Sequence, residues 1–338
     1  VMKSKLCFTV LAALVAAGNA QASVDLVATG QIDGHLRDRS PQTAAALENG
    51  VPGNLLGGIG SGLAYAGCDT FLALPDRGPN ATPYNRWVDD TASYIDRFHT
   101  LQMQLTPNPA GSALPFSLTP RLRDTTLLSD RSYLYYGDGR SVDLPEGRPR
   151  LDHPFRHYFT GRSDNAVPSM NSGWPLDARL DPESIRVSAD GDTVYISDEY
   201  GPYVYAFDRK SGQRTAAYPL PAMFYVPKVA PVGDDEIALN TVGRLANKGM
   251  EGLAITPDGH TLYGAMQSPL LQDGGKNGSV TRIVKIDLRT RKVSQYAYAL
   301  TNIGKASKPK YGTISEIVAV NDHQLLVDER DGNGFGDG

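Results

Sequence analysis

The sequence predicts an all-β fold, a β-propeller of four-stranded antiparallel blades with long loops on one face, and three observations lead there. A hairpin pattern recurs four times, each of the later copies opens on a glutamate, and 35 Gly, 23 Pro and 17 Tyr in 338 residues suit many short strands joined by turns. Long helices are scarce.

The first element is a leader. Lys3 and Lys5 precede an apolar run from Leu6 to Ala17, and Ala20, Gln21 and Ala22 supply the small-residue pattern of a cleavage site. Residues 1–22 are expected to be removed, since about twelve apolar residues are too few to cross a hydrocarbon core that needs roughly 20. The mature chain, residues 23–338, is expected to be one propeller domain in the periplasm or the medium, without stable membrane insertion. Subtracting the two leader lysines from 33 basic residues leaves 31 against 37 acidic ones, a balance of −6. With no basic block, nucleic acid and anionic membrane are excluded as expected partners.

The repeats follow. Ser61–Tyr65 (SGLAY) precedes Thr70–Asp76 (TFLALPD), Glu183–Val187 (ESIRV) precedes Thr193–Asp198 (TVYISD), Glu251–Ile255 (EGLAI) precedes Thr261–Met266 (TLYGAM), and Glu316–Val320 (EIVAV) precedes Gln324–Asp328 (QLLVD). Each pair alternates apolar and polar residues and turns at Asp190-Gly191 or Asp258-Gly259, which reads as a hairpin. Tyr203–Asp208 and Arg282–Asp287 supply third strands, and Thr215–Leu220 and Val293–Tyr298 fourth ones, completing a blade. The repeat starts are 122, 68 and 65 residues apart, against about 40 to 50 for an ordinary blade. A degenerate blade is therefore expected in the first gap, from Thr100–Leu105, Phe116–Thr119 and Ser132–Tyr136. Residues 106–120 and 144–182, rich in Pro, Gly and Asn, read as long surface connections. A complete ring is expected to hold six blades, and this chain to be missing part of its C-terminal end.

The acids fall in register. Glu183, Glu251 and Glu316 open first strands, while Asp76, Asp198 and Asp328 close second strands. If these positions face a common axis, their mutual repulsion is costly unless a cation is bound. Hard oxygen donors select Ca²⁺ or Mg²⁺ over zinc, and Ca²⁺ is the expected ion. The alternative is that the acids cap turns or pair with Arg77, Arg186 and Arg330.

Several motifs resemble those of the phytase-like, esterase-like propeller family: Gly62–Ala64 (GLA), Leu74–Pro79 (LPDRGP), Ser197–Pro202 (SDEYGP), Gly249–Leu253 (GMEGL) with Thr256–His260 (TPDGH), and Val327–Asp331 (VDERD). The likeness runs over residues 25–338. It implies hydrolysis of an ester, including phosphate esters, by a propeller similar in shape to the calcium-dependent alkaline phytases. The chain lacks the Asp-Asp-Pro-Ala stretch of those phytases and the Arg-His-Gly signature of histidine acid phosphatases. The carry-over is limited to Asp76 and Arg77, Asp198 and Glu199, Glu251, and Glu329 and Arg330. The expected ligand set is then Asp76, Glu183, Asp198, Glu199, Glu251, Glu316, Asp328 and Glu329, with Asp76, Arg77, Glu251 and Arg330 acting on the substrate. The arginines would hold phosphate oxygens, and a cation would lower the pKa of an attacking water.

Other readings stay open beside this one. A calcium-dependent lactonase would also hold an axial metal, and a non-catalytic exported propeller would bind a small ligand or an envelope protein. A serine esterase finds no Gly-x-Ser-x-Gly, and residues 57–62 lack the Lys-Ser/Thr ending of a phosphate loop. His153 and His157 flank Pro154 without the Glu of a zinc protease motif. Asp331, Asn333 and Asp337 echo a calcium loop but lack its last acid. The Tyr133, Tyr135 and Tyr136 group is expected to be strand packing.

Overall fold

The computed structural model describes residues 25–56, 59–78, 85–89, 91–136, 149–167 and 169–333. The leader, residues 144–148 and 168 of the expected connection at 144–182, and residues 334–338 of the calcium-loop echo lie outside the described residues.

Among the described residues, sixteen strands build three four-stranded antiparallel sheets and two two-stranded ones. The first blade is β1 (Ile59–Tyr65), β2 (Thr70–Pro75), β3 (Arg97–Pro107) and β4 (Phe116–Leu127). The short pair β5 (Ser129–Asp130) and β6 (His157–Tyr158) follows. The second blade is β7 (Pro182–Val187), β8 (Thr193–Asp198), β9 (Tyr203–Asp208) and β10 (Arg214–Pro219). The third is β11 (Met250–Ile255), β12 (Thr261–Met266), β13 (Val280–Asp287) and β14 (Val293–Ala299). Then β15 (Thr313–Ala319) and β16 (Leu325–Arg330) form a half-blade. One short helix, α1 (Gly233–Leu239), stands between β10 and β11.

The 122-residue gap is not filled as expected. Thr100–Leu105 lies in β3 and Phe116–Thr119 in β4, the outer strands of the first blade. Among the described residues, no separate four-stranded blade stands between β1 and β7, which pack directly together. An ideal Cβ on Gly62 would come within 2.9 Å of the Ile185 backbone nitrogen, so the glycine is what lets these strands approach. Gly252 repeats this against β15, where a Cβ would meet the Ile317 nitrogen at 3.0 Å. The expected long connection after β4 instead brings Thr160, Arg162 and Asp181 back to the second blade, through the Thr160–Arg179 and Ile95–Thr160 bridges.

Each blade buries one face against its neighbour. Ala64, Leu72 and Leu74 of the first blade pack on Ile185, Val194, Tyr205 and Phe207 of the second. Tyr195 and Val204 pack on Leu253, Leu262 and Met266 of the third. Ala254, Tyr263 and Ile283 pack on Ile314 and Ile317 of the half-blade. Successive side chains point to opposite faces, and a strand covered on both sides, such as Tyr203–Asp208, is accordingly apolar on both. The first strands β1, β7, β11 and β15 thereby come side by side.

Candidate metal centre at the first-strand bulges

Every first strand is bulged near its start. Pairing with the second strand slips between Ile59 and Gly62, between Pro182 and Ile185, between Met250 and Gly252, and between Ile314 and Glu316. A bulge adds residues to one strand and re-aims a side chain. The residues inside these bulges include Ser61, Glu183, Glu251 and Ser315.

The pairs Leu63–Ala73, Ile185–Ile196, Leu253–Gly264 and Ile317–Val327 define equivalent positions in the four blades. Three residues further along the second strands stand Asp76, Glu199, Gln267 and Arg330. Two sets of equivalent side chains therefore meet at one end of the first strands. Carboxylate oxygens of Asp181, Glu183 and Glu199 lie within 4.8 Å of one another. Glu251 accepts from Gln267 Nε2 at 2.9 Å and from Arg330 at 3.3 Å, and Lys248 Nζ donates to Gln267 at 3.3 Å. Arg77 donates to Asp181 at 2.6 Å and to Asn247 Oδ1 at 2.7 Å, and stands 4.0 Å from Glu199.

The backbone beneath is held tightly. A Cβ on Gly249 would fall 2.1 Å from the Glu199 carbonyl oxygen, so glycine alone lets that loop reach the acid. Arg244 Nε donates to the Tyr200 carbonyl, and the Tyr200 hydroxyl donates to Gly161 O at 2.9 Å. Glu236 of α1 accepts from Arg244 at 2.5 Å and from Arg179 at 3.1 Å. Burial alone would raise the Glu236 carboxyl, yet Arg244 and Arg179 hold it below its ordinary value.

The acid cluster behaves differently. Burial first, then Asp181, pushes Asp76 up to about 6. Burial, reinforced by Asp181 and neighbouring glutamates, raises Glu183 and Glu199 well above the carboxylate range. Burial also raises Glu251, against the opposing hydrogen bond from Gln267 and the charge of Arg330. Asp96, fully buried, has neither carboxylate oxygen hydrogen-bonded and is raised strongly by burial, with Asp181, Asp198 and Asp76 adding repulsion. The Arg77 guanidinium is held protonated chiefly by Asp181. Carboxylates thus outnumber the cations that face them. An all-oxygen donor set at this spacing, with a buried unpartnered carboxylate beside it, fits a hard divalent cation.

Of the residues singled out in the sequence, Asp76, Arg77, Glu183, Glu199, Glu251 and Arg330 come together here. Four others do not. Asp198 is fully buried, pushed up to about 8 by burial, and its Oδ1 caps a turn by accepting from the Asp181 and Tyr200 amides at 3.1 and 3.0 Å. The match of Asp198 to Asp76 is corrected by the bulges: Glu199 is the equivalent of Asp76. Glu316 is likewise one residue out of step with Glu251, because Ser315 occupies the bulge, and a slip of one residue turns a side chain to the other face. Glu316 instead accepts from Ser184 Oγ at 2.8 Å and the Leu253 amide at 3.1 Å and pairs with Arg186 at 3.0 Å. Asp328 stands exposed opposite Glu316. Glu329 accepts from the Tyr298 hydroxyl and the Thr301 amide, both at 2.8 Å. Glu316 and Glu329 thus tie neighbouring strands together.

Sequence reasoning missed Asp181, Asp96, Asn247 and Gln267. Asp181 lies two residues before the in-register Glu183, and an Asp-Pro step opening a strand was its signal. Asp96 precedes β3 and lies outside the repeat. Tyr133 and Tyr135 are 43% and 37% exposed rather than packed within a sheet, and their rings meet edge to face at 5.7 Å.

Repeated four-stranded sheets with an acid-rich centre at the ends of their first strands define a class of blade-built β proteins. The chain belongs to the phytase-like family described as having esterase-like activity of phytase, which it matches over residues 54–338. An uncharacterized secreted protein of Arthroderma benhamiae is 32% identical over 253 residues, covering 66% of this chain and 46% of that protein. The chain thus spans about half the length of that relative. Among solved structures, a Lactobacillus plantarum protein shares 12% identity over 80% of this chain and 64% of its own, with a TM-score of 0.32. The Dos1 propeller shares 10% over 80% of this chain and 41% of its own, with a TM-score of 0.30. Among the described residues, no helix is long and apolar enough to cross a membrane.

Proposed function

We propose that this protein is an exported, calcium-dependent ester hydrolase acting on small esters, with phosphate esters preferred. The observation that carries the reading is the meeting of Asp181, Glu183 and Glu199 within 4.8 Å, beside Asp76 and Glu251 and under two arginines. Family membership supports hydrolysis, and the secreted relative supports export.

Asp181, Glu183 and Glu199 would hold the cation, with Glu251 and Asp76 at its margin. When bound there, Ca²⁺ would offset substrate charge and make a water more acidic. Arg330, with its side chain 46% exposed, would turn from Glu251, which keeps its hydrogen bond from Gln267, onto a phosphate oxygen. Arg77 is 21% exposed and already committed to Asp181, so it orients that carboxylate and offers its remaining donors to an anion. Asp76, raised to about 6 by burial before any cation binds, would be held ionised once one is present and suits the role of general base.

The test is thermal unfolding of the mature protein in EDTA and after calcium re-addition, followed by hydrolysis of p-nitrophenyl phosphate and p-nitrophenyl acetate. A reversible rise in melting temperature on adding calcium is expected, because a ligand of the folded state stabilises it. Calcium-dependent turnover, greater on the phosphate, should accompany it. An unchanged melting temperature with undiminished turnover in EDTA would sink the metal-based reading.

A further inference from the structure

The third blade carries an altered copy of the acid-rich half of the centre. In the second blade the Glu199 amide donates to the Asp181 carbonyl at 2.9 Å, and in the third the Gln267 amide donates to the Gly249 carbonyl at 2.8 Å. Gly249 therefore stands where Asp181 stands and Gln267 where Glu199 stands, while Glu251 keeps the place of Glu183. Two acids are gone from this copy. Across the four blades the second-strand position runs Asp76, Glu199, Gln267, Arg330, so charge changes sign from one side of the centre to the other.

Lys248 lies on the cationic side. Its loop is held at both flanks: Asn247, at a φ of 52° that asparagine tolerates better than most residues, accepts from Arg77 at 2.7 Å, and the Gly249 carbonyl is tied to Gln267. The Lys248 ammonium is half-buried and donates to the Gln267 side-chain oxygen at 3.3 Å. Among the described residues, no carboxylate pairs with it. An ammonium carries three donors, so a ligand can take the others. Gln267 donates in turn to one oxygen of Glu251 at 2.9 Å, and Arg330 to the other at 3.3 Å. Lys248 and Arg330 thus stand at the two ends of one hydrogen-bonded chain.

We propose that the third-blade side of the centre is an anion subsite in which Lys248, aimed by Gln267 and acting with Arg330, holds the phosphate of the substrate. The inference deepens the reading above and rests on it for the kind of substrate. Three ionised acids around one divalent cation leave that half of the centre with a formal charge of about −1 (three minus two), and a phosphate monoester brings about two further negative charges. Protein cations must offset them. Arg77 is engaged by Asp181 at 2.6 Å, which leaves Lys248 and Arg330. The two suit different parts of the task, since a lysine offers a compact point charge and an arginine a planar fork of donors.

Isothermal titration of inorganic phosphate into the whole chain, with calcium and in EDTA, tests this, and circular dichroism confirms that each variant is folded. Lys248→Met keeps the length of the side chain and removes its charge. It should weaken phosphate binding about tenfold or more, as expected for the loss of one charge-assisted hydrogen bond. KM for p-nitrophenyl phosphate should rise by a similar factor while kcat changes less than about threefold, the signature of lost uniform binding. Lys248→Arg, which keeps the cation, should recover most of the affinity. Lys210→Met takes the same charge from an exposed turn at the opposite ends of the strands and should leave phosphate binding unchanged. A separate calcium titration judges the metal reading: if no calcium binds, that reading fails, yet phosphate in EDTA still tells the native chain from Lys248→Met, because the partner is a protein cation. A native chain that takes no phosphate overturns the inference. So does phosphate affinity equal in the native and Lys248→Met chains, or an equal loss in Lys210→Met, which would trace the effect to net charge alone.

Discussion

Replacing Asp76 by Asn should make the metal-free protein more stable at neutral pH and leave it unchanged in acid. Asp76 is raised from 3.8 to about 6, mainly by burial and then by Asp181. A carboxyl whose folded pKa is raised keeps its proton in the folded chain after the unfolded chain has lost it. Stability therefore falls as pH climbs from about 4 to about 6 and stays low above that window. The shift is about two pH units, and at about 1.4 kcal/mol per unit the loss is about 3 kcal/mol. Asn cannot ionise, and its Oδ1 still accepts from the Gly78 amide, as Asp76 does at 3.0 Å. In EDTA, the variant should exceed the native protein by about 3 kcal/mol at pH 7 and match it at pH 4. Urea unfolding followed by fluorescence at several pH values measures this, with linear extrapolation at each. In saturating calcium the gain should shrink or reverse, because the carboxylate then faces a cation. A variant whose advantage over the native protein is no larger at pH 7 than at pH 4 would refute the claim that Asp76 is destabilised by its surroundings.

Three further substitutions separate the roles of the neighbouring groups. Arg77→Met strips the cation from Asp181, which is fully buried, and should cost about 3 kcal/mol in EDTA at pH 7, with calcium restoring part of the loss; calorimetry with and without the ion reads both. Glu316→Ala removes the acceptor of Ser184 and the Leu253 amide and the partner of Arg186. It should lower stability by about 2 to 4 kcal/mol while isothermal titration shows calcium affinity unchanged. Gly249→Ala places a Cβ against the Glu199 carbonyl, should cost about 1 to 3 kcal/mol, and should weaken calcium binding in the same titration because Glu199 must move.

The hairpins, their four-stranded blades and the family were legible in the sequence. Alternation of apolar and polar residues is a local property, and the turns at Asp190-Gly191 and Asp258-Gly259 mark it without reference to distant contacts. The acids of Glu183 and Glu251 were legible for the same reason, as they recur at the mouth of a repeated strand. Three things were decided only by the tertiary structure. The bulges set which residue of each first strand turns to the centre, so Glu316 yields to Ser315, and they shift the match to Asp76 at the second-strand ends from Asp198 to Glu199. A bulge leaves no periodic trace, yet a shift of one residue reverses a side chain's direction. The long segment before β7 carries Asp181 to the site, and Asp96 arrives from ahead of β3, because packing joined segments far apart in the chain. Finally, the charge state of the cluster depends on burial and on like charges brought close from three blades. Which acids the chain contains is written in its sequence, but their shared repulsion exists only once the blades stand side by side.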